Sequence, residues 1–186
     1  ISGHKMCAPK GIGALCVRKG VELAPLLYGG HHERGLRAGT ENVPGAVALG
    51  RAAVCARENP ATGLAALRDR LERGILERVP DTAVNGTGAP RVPNTTNIRF
   101  DGIDGEAMAI ALDLRGFAVS GGAACSSGAV EPSHVLTAIG LTKEQARSSL
   151  RFSLGRTNDL SQVDALIEAV AGAAAHLRRL SPAYHA

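Results

Sequence analysis

The 186-residue chain has no tryptophan, and aromatic residues make up only 3% of it. Proteins that bind single-stranded nucleic acid stack the bases on aromatic side chains, so such a surface is not expected here. The formal net charge is only +4, from 21 Lys and Arg against 17 Asp and Glu. This mild excess suits a small anionic ligand and does not by itself indicate nucleic acid.

Cysteine is also scarce, and its spacing excludes two structural roles. The cysteines are Cys7, Cys16, Cys55 and Cys125. None forms a C-x-x-C pair, so a structural zinc site is not expected. A secreted disulfide-rich domain would be shorter and denser in cysteine. The chain is therefore expected to be reduced and cytoplasmic, with its first three cysteines used for packing.

Long apolar runs are missing as well. No stretch approaches the ~20 apolar residues of a membrane span. No charged segment followed by an apolar run marks a signal peptide. The chain begins with Ile1 rather than methionine, which predicts that an upstream part is missing.

Glycine-rich loops and short apolar runs alternate in the first third of the chain. The segment GIGALCVRK, residues 11–19, predicts a short strand after a turn. The segment YGGHHERGLRAGT, residues 28–40, predicts a loop rich in donors and positive charge. Small apolar residues at helical spacing predict a helix over 44–58. The breaker-rich NPATG that follows predicts a domain boundary, which gives domains at 1–59 and 60–186.

Helices and strands alternate in the second part. The predicted strands are 94–100, 117–120 and 149–154, and the predicted helices are 64–75, 106–115, 131–140 and 160–177. The last helix is the clearest, since its apolar residues step by three and four after a possible cap at Asp159 or Ser161. This order predicts an α/β or α+β layer of a few strands covered by helices.

Lys5 stands in the glycine-rich opening ISGHKMCAPKGIG. A partly deprotonated lysine can form a Schiff base with an aldehyde cofactor. The flanking Ser2 and His4 offer a hydroxyl and an imidazole to a phosphate. Taken alone, this pattern is also typical of an ordinary surface lysine, which is the commoner case.

Two residues of the second part, Cys125 and Arg151, could have a functional role or an ordinary structural one. Cys125 lies among small residues, in SGGAACSSGAVEPSHVL, which predicts a reachable loop and suits a thiol that must move. A loop cysteine without chemistry is the alternative. Arg151 lies between Leu150 and Phe152 in a predicted strand. Its guanidinium could hold a carboxylate by two parallel hydrogen bonds, or it could simply face solvent.

The adjacent His31 and His32 could ligate a metal, but no third ligand follows at a fixed spacing. An anion-binding loop is favoured there instead, and no metal site is expected.

Five motifs occur in order along the chain: SGHKMCAPKGIGAL, GGHHERGLRAGTENV, PNTTNIRFDGI, GGAACSSGAVEPSHVL and SLRFSLGR. Together they resemble the cysteine desulfurases of the nitrogenase and iron–sulfur cluster type. These enzymes belong to the class V aminotransferase group, which uses pyridoxal phosphate. The resemblance implies the C-terminal part of a fold-type I pyridoxal-phosphate enzyme. Residues 1–59 would end the large cofactor domain, and 60–186 would form a small α/β domain with the catalytic cysteine loop.

The resemblance also implies the residues that hold the cofactor. Lys5 matches the lysine that binds pyridoxal phosphate covalently. Ser2 and His4 match residues that contact its phosphate. Thr40 matches a threonine that reaches the phosphate of the neighbouring subunit, which implies a homodimer.

The implied reaction converts L-cysteine to L-alanine. Arg151 matches the arginine that holds the substrate carboxylate, and Cys125 matches the nucleophile that takes the sulfur as a persulfide. The persulfide is then delivered to a sulfur-acceptor protein. Other cofactor contacts of the family precede the lysine, so the chain resembles the C-terminal half of the enzyme. Without the missing N-terminal half, we expect the fragment to be inactive.

Alternative functions stay open at this point. One is a selenocysteine lyase or another class V aminotransferase, which an assay of alanine release from both substrates would separate. Another is a non-catalytic sulfur-relay fragment, although such a fragment would not need the motifs around Lys5 and Thr40. The sequence does not specify the final acceptor, which could be a cluster scaffold or the machinery of tRNA or DNA modification.

Overall fold

The computed structural model describes residues 1–58, 60, 62–121 and 132–180. The chain divides into two compact units, Ile1–Pro60 and Ala61–Ala186. Among the helices of the described residues, none is both long and apolar enough to cross a membrane.

The first unit contains one long helix, α1, at Val43–Glu58. This confirms the helix predicted from small apolar residues. The Asn42 side-chain oxygen accepts a hydrogen bond of 3.0 Å from the Gly45 amide, which satisfies one free donor at the start of the helix. Helix α1 contacts a short 3-10 turn at Gly3–Met6, which carries the first glycine-rich motif.

The strand predicted over 11–19 is wrong. In the described part of the first unit, this segment makes one isolated bridge, between Ser2 and Gly13. A strand is stabilised by pairing along its length. Here the main-chain hydrogen bonds to the start of the chain end at Ala14, which bonds Ile1, and no described residue of the unit pairs with the segment beyond it. The apolar run after Ala14 therefore forms no ladder with the described residues of this unit.

The described part of the second unit is built on a three-stranded antiparallel sheet in the order β1–β2–β3. The strands are β1 at Thr82–Val84, β2 at Thr95–Phe100 and β3 at Ser149–Ser153. Burial alternates along β2, so that Ile98 and Phe100 enter the core while the residues between them face away from it. The strands predicted over 94–100 and 149–154 are confirmed, whereas β1 is too short for a pattern to reveal it.

The described part of the second unit also contains five helices. They are α2 at Leu64–Arg78, α3 at Gly105–Asp113, α4 at His134–Ala138, α5 at Lys143–Arg147 and α6 at Leu160–Leu180. The long helix α6 contacts α2 and α3 through its apolar stripe, as predicted, and Asp159 caps it by accepting a 2.9 Å hydrogen bond from the Gln162 amide. Helix α5 was not predicted, although Thr142 and Gln145 form a capping box whose T-x-x-Q signature is visible in the sequence.

The core lies between this sheet face and helices α2, α3 and α6. Phe100 of β2 and Phe152 of β3 meet edge to face, with ring centroids 6.5 Å apart. Near the end of α6 a charged residue enters the same region: Arg178 is only 5% exposed. Its guanidinium donates hydrogen bonds to the carbonyl oxygens of Pro80, at 2.7 Å, and Asp101, at 3.2 Å. It thereby ties two turns to the last helix.

Candidate active site

The residues predicted to carry chemistry divide between the two units. Ser2, His4, Lys5 and Thr40 lie in the first unit, and Arg151 lies in the second. Cys125 and the rest of the predicted cysteine loop after Gly121 lie outside the described residues.

Lys5 lies on the 3-10 turn Gly3–Met6 with its side chain exposed. The turn is tightly built, because the buried Gly3 donates a 2.9 Å hydrogen bond to the Ile12 carbonyl oxygen. A Cβ atom at Gly3 would lie 2.7 Å from that same oxygen, so no larger residue fits without moving main chain. Cys7 ends the turn in the left-handed region, with φ of 64°. This geometry keeps Lys5 turned out to solvent.

Ser2 and His4 flank the lysine and contact each other. The Ser2 hydroxyl oxygen lies 3.0 Å from Nδ1 of the His4 ring. Both side chains are exposed, so the pair and the Lys5 amine present three polar groups within four consecutive residues. The sequence predicted this grouping, and the hydrogen bond adds a fixed orientation of the imidazole.

The second glycine-rich loop has strained main chain. Glu33 and Arg34 are consecutive left-handed residues, with φ of 50° and 59°. Non-glycine residues in this region cost ~1–3 kcal/mol each and persist only where the surroundings impose them. Thr40, at the end of this loop, is exposed. The charge of the loop was predicted from sequence, but the strain was not, because neither Glu nor Arg signals a left-handed conformation.

His32 of this loop has a buried ring nitrogen that makes no hydrogen bond with a described residue. The His32 ring lies against Gly30, where a Cβ atom would be 2.8 Å from the ring carbon Cε1. Its Nδ1 is buried and has no hydrogen-bond partner among the described residues. His31 and His32 contribute to no cluster of three metal-ligating side chains in that part of the chain.

Two of the cysteines assigned to packing are exposed. Cys7 and Cys16 face solvent within the first unit, whereas Cys55 is half-buried in α1. The packing assignment was wrong for Cys7 and Cys16 because their apolar neighbours belong to irregular segments rather than to a buried helix or strand.

Arg151 lies in the middle of β3, on the sheet face opposite the core. Its neighbours Leu150 and Phe152 are buried, so the strand alternation turns the arginine outward. Its guanidinium forms no hydrogen bond or ion pair with any other described residue. Arg99, on the same face, is by contrast paired with Asp101. Arg151 is therefore charged, exposed and able to bind an anion.

A main-chain connection joins Arg151 to the segment before Cys125. The Arg151 amide donates to the Ser120 carbonyl oxygen at 2.8 Å, and the Ser120 amide donates back at 3.2 Å. The predicted strand over 117–120 is reduced to this one pair. The Phe117 amide instead bonds the Leu112 carbonyl oxygen at 3.0 Å, which keeps the start of the segment beside α3.

The position of Gly121, the first residue of the predicted cysteine loop and the last described one before Cys125, is set by this pairing. A Cβ atom there would make ordinary contacts with the main chain of Gly105 and the side chain of Leu150. The Ser120–Arg151 pairing could not be predicted from the sequence, because a cross-strand register depends on both strands at once.

Comparisons with known proteins agree on one family. The model of the family described as aminotransferase class-V matches residues 1–166. A cysteine desulfurase of Gluconacetobacter diazotrophicus is 50% identical over 98% of this chain, which corresponds to 46% of that protein. The cysteine desulfurase NifS of Azotobacter vinelandii is 46% identical over the same shares. The chain thus spans about half the length of the curated relatives it matches.

Solved structures give the same result. A NifS-like protein from Rickettsia africae has a TM-score of 0.78 at 33% identity, over 92% of this chain and 46% of that one. DndA from Streptomyces lividans has a TM-score of 0.61 at 38% identity, over 82% and 45%. The predicted fold class, the C-terminal part of a fold-type I pyridoxal-phosphate enzyme, is confirmed. With most of its length matched by the family model, the chain belongs to the class V aminotransferases.

Proposed function

We propose that this chain is part of a pyridoxal-phosphate-dependent cysteine desulfurase. The enzyme would convert L-cysteine to L-alanine and pass the sulfur through Cys125 to an acceptor protein, in support of iron–sulfur cluster assembly. The observation that carries the proposal is the exposed guanidinium of Arg151, which pairs with no other described residue. The main chain of Arg151 is bonded to Ser120, five positions before Cys125. The relatives named cysteine desulfurase support it over 98% of the chain.

The proposal includes a division of labour between the two units. Residues 1–59 would end the large cofactor-binding domain, and 60–186 would form the small domain that carries the cysteine loop. A half equivalent to the N-terminal part of the relatives would complete the cofactor site, since the chain spans 46% of them. The complete enzyme would be a cytoplasmic homodimer, in which Thr40 serves the neighbouring subunit, and the fragment alone would be inactive.

The groups on the Gly3–Met6 turn fit the cofactor. Pyridoxal phosphate carries an aldehyde, which needs an amine, and a phosphate, which needs donors. Lys5 supplies the amine, and the contacting Ser2 and His4 supply the hydroxyl and the imidazole. When bound, this cofactor withdraws electrons from the substrate α-carbon.

The chain's own residues then have separate tasks. Arg151 binds the substrate carboxylate by two parallel hydrogen bonds and so fixes the direction of the substrate thiol. The Lys5 amine takes and returns the proton at the substrate α-carbon. The Cys125 thiolate attacks the substrate sulfur: an S–S bond forms, the sulfur–carbon bond breaks, and the carbon takes a proton to give alanine.

The experiment uses the protein expressed from its full gene. Borohydride reduction followed by peptide mapping should place a phosphopyridoxyl group on Lys5, and the Lys10→Ala variant should keep it. Cys125→Ala should keep that group but lose persulfide formation and sulfide release from L-cysteine. Cys16→Ala is the matched control, since it removes the thiol of an exposed cysteine of the first unit to which no catalytic role is assigned. Sulfide release that continues in Cys125→Ala would contradict the proposed role of this thiol.

Two further measurements address the alternatives. Alanine release is followed with L-cysteine and L-selenocysteine as competing substrates, and preference for the second would favour a selenocysteine lyase. Absence of the phosphopyridoxyl group from the full-length protein would favour a sulfur-relay role over catalysis.

A further inference from the structure

Asn97 of β2 and Arg151 of β3 are direct cross-strand neighbours on the sheet face away from the core. Arg151 exchanges both of its main-chain hydrogen bonds with Ser120 on its other side. The Asn97 carbonyl oxygen likewise bonds away from β3, accepting from the Asn85 amide at 2.8 Å. The two residues therefore form a non-hydrogen-bonded pair, the type in which opposite Cα atoms come closest, ~4.5 Å apart, and the side chains are nearest.

The Asn97 side chain is held in place by Asn85, on the side of β2 away from β3. Its Oδ1 accepts a hydrogen bond of 2.6 Å from Nδ2 of Asn85, which also lies 3.0 Å from the Ser149 hydroxyl oxygen. The Ser149 hydroxyl in turn donates to the Gln145 carbonyl oxygen at 2.7 Å. A continuous chain of hydrogen bonds thus runs from Gln145, in the middle of α5, to the side-chain amide of Asn97.

The Arg151 side chain, unlike that of Asn97, is not held by hydrogen bonds to described residues. It is long and exposed, and no described residue holds its guanidinium. Such a side chain loses rotamer freedom when it binds a carboxylate, and a fixed neighbour reduces that loss by limiting the rotamers beforehand. Asn97 restricts the Arg151 side chain on the β2 side of β3. Ser120 flanks Arg151 on the other side of that strand.

We propose that Asn97 is a positioning residue for Arg151: its fixed amide restricts the arginine side chain and directs the guanidinium to the carboxylate of the amino-acid substrate. This inference rests on the proposed function, which assigns that carboxylate to Arg151. Asn97 acts on substrate binding through Arg151, so it should affect KM for L-cysteine rather than kcat.

The test uses the full-length enzyme with its cofactor bound. Asn97→Ala should raise KM for L-cysteine about fivefold, the size of a strong cross-strand coupling, with kcat nearly unchanged. Thr95→Ala is the matched control, because Thr95 lies on the same face of β2, opposite Ser153. It should leave KM unchanged. An Asn97→Ala enzyme whose KM equals that of the control would overturn the inference.

A second variant separates positioning from a purely structural role. Asn97→Asp keeps an oxygen that accepts from Asn85, so a structural role predicts a milder effect than that of Asn97→Ala. Positioning predicts a larger rise in KM, because the new carboxylate would bind the guanidinium and compete with the substrate. A milder effect of Asn97→Asp on KM would overturn the inference even if Asn97→Ala folds poorly.

The Arg151→Lys background distinguishes this inference from the proposed function. In the Arg151→Lys enzyme, Asn97→Ala should add little to KM, since the guanidinium that Asn97 is proposed to position is already absent. An equal effect in both backgrounds overturns the positioning role and leaves the function standing. If Arg151→Lys itself leaves KM unchanged, the assignment of the carboxylate to Arg151 fails, and the inference fails with it.

Discussion

Ser120 and Arg151 exchange both of their main-chain hydrogen bonds, at 2.8 and 3.2 Å. As a result, the chain enters the segment that contains Cys125 from a point fixed beside the arginine proposed to hold the substrate. A thiol that must reach a bound substrate and later an acceptor has two requirements. The segment that carries it must begin at a fixed point, and the segment itself must be able to move. The pairing supplies the first of these requirements on the same strand that carries Arg151.

Replacing Arg151 tests the proposed carboxylate contact. Arg151→Lys keeps the charge but can form only one of the two parallel hydrogen bonds, so KM for L-cysteine should rise about tenfold to a hundredfold. Steady-state kinetics of the full-length enzyme measure this. Arg156→Lys, a change at another exposed arginine of the SLRFSLGR motif, is the control and should leave KM unchanged. Equal KM values for the two variants would show that Arg151 does not bind the substrate.

The outward position of Arg151 could be predicted from sequence, because alternation with Leu150 and Phe152 is a local pattern. The pairings of Arg151 with Ser120 and Asn97 could not, because they depend on the register of three chain segments that are distant in sequence. Among the site residues, the grouping of Ser2, His4 and Lys5 was visible for the same local reason.

Other failures of prediction also have physical causes. The apolar run over 11–19 predicted a strand, but a strand needs a neighbour along its length. Among the described residues of the unit, pairing with the start of the chain ends at Ala14. The burial of Arg178 was hidden, because an arginine near a helix end is usually exposed. Only the turns that bring the Pro80 and Asp101 carbonyl groups to one place reveal its role.

The Lys5 turn depends on a glycine. Gly3→Ala would place a Cβ atom 2.7 Å from the Ile12 carbonyl oxygen, a main-chain atom that cannot rotate away. The turn should therefore open, and the yield of phosphopyridoxyl group on Lys5 after borohydride reduction should fall severalfold. Gly50→Ala in α1 is the control, since nothing lies within 4 Å of its Cβ position. It should keep the full yield, and an unchanged yield in Gly3→Ala would show that the turn tolerates a side chain.

Removing Arg178 should destabilise the second unit. Arg178→Met keeps most of the apolar stem but leaves the carbonyl groups of Pro80 and Asp101 without their donor, which costs ~1–3 kcal/mol of unfolding free energy. Urea unfolding followed by circular dichroism measures this loss. Arg179→Met is the control at the next position, which is exposed, and its effect should stay within ~0.5 kcal/mol. Similar midpoints for the two variants would mean that the buried guanidinium contributes no net stability.

The ion pair between Glu72 of α2 and Arg91 should make stability depend on pH. The two hydrogen bonds of this pair measure 2.6 and 3.2 Å. Burial raises the pKa of Glu72, but the hydrogen bonds from Arg91 and the positive charges of Arg91 and Arg68 lower it by more, so its pKa lies below the ordinary range. A group with a lowered folded-state pKa contributes stability above its unfolded-state pKa, and that contribution is lost as the pH falls through the folded value.

The Glu72→Gln variant isolates this contribution, because it removes the titrating group and keeps the shape. Near pH 7, wild type should be more stable than Glu72→Gln, and the difference should shrink once the pH falls below about 4, near the ordinary glutamate pKa. Urea unfolding between about pH 7 and pH 3 measures the difference. Glu77→Gln, at an exposed position of the same helix, should show no such narrowing. A difference for Glu72→Gln that stays constant down to the lowest pH would mean that the pair does not hold the carboxylate in its charged form.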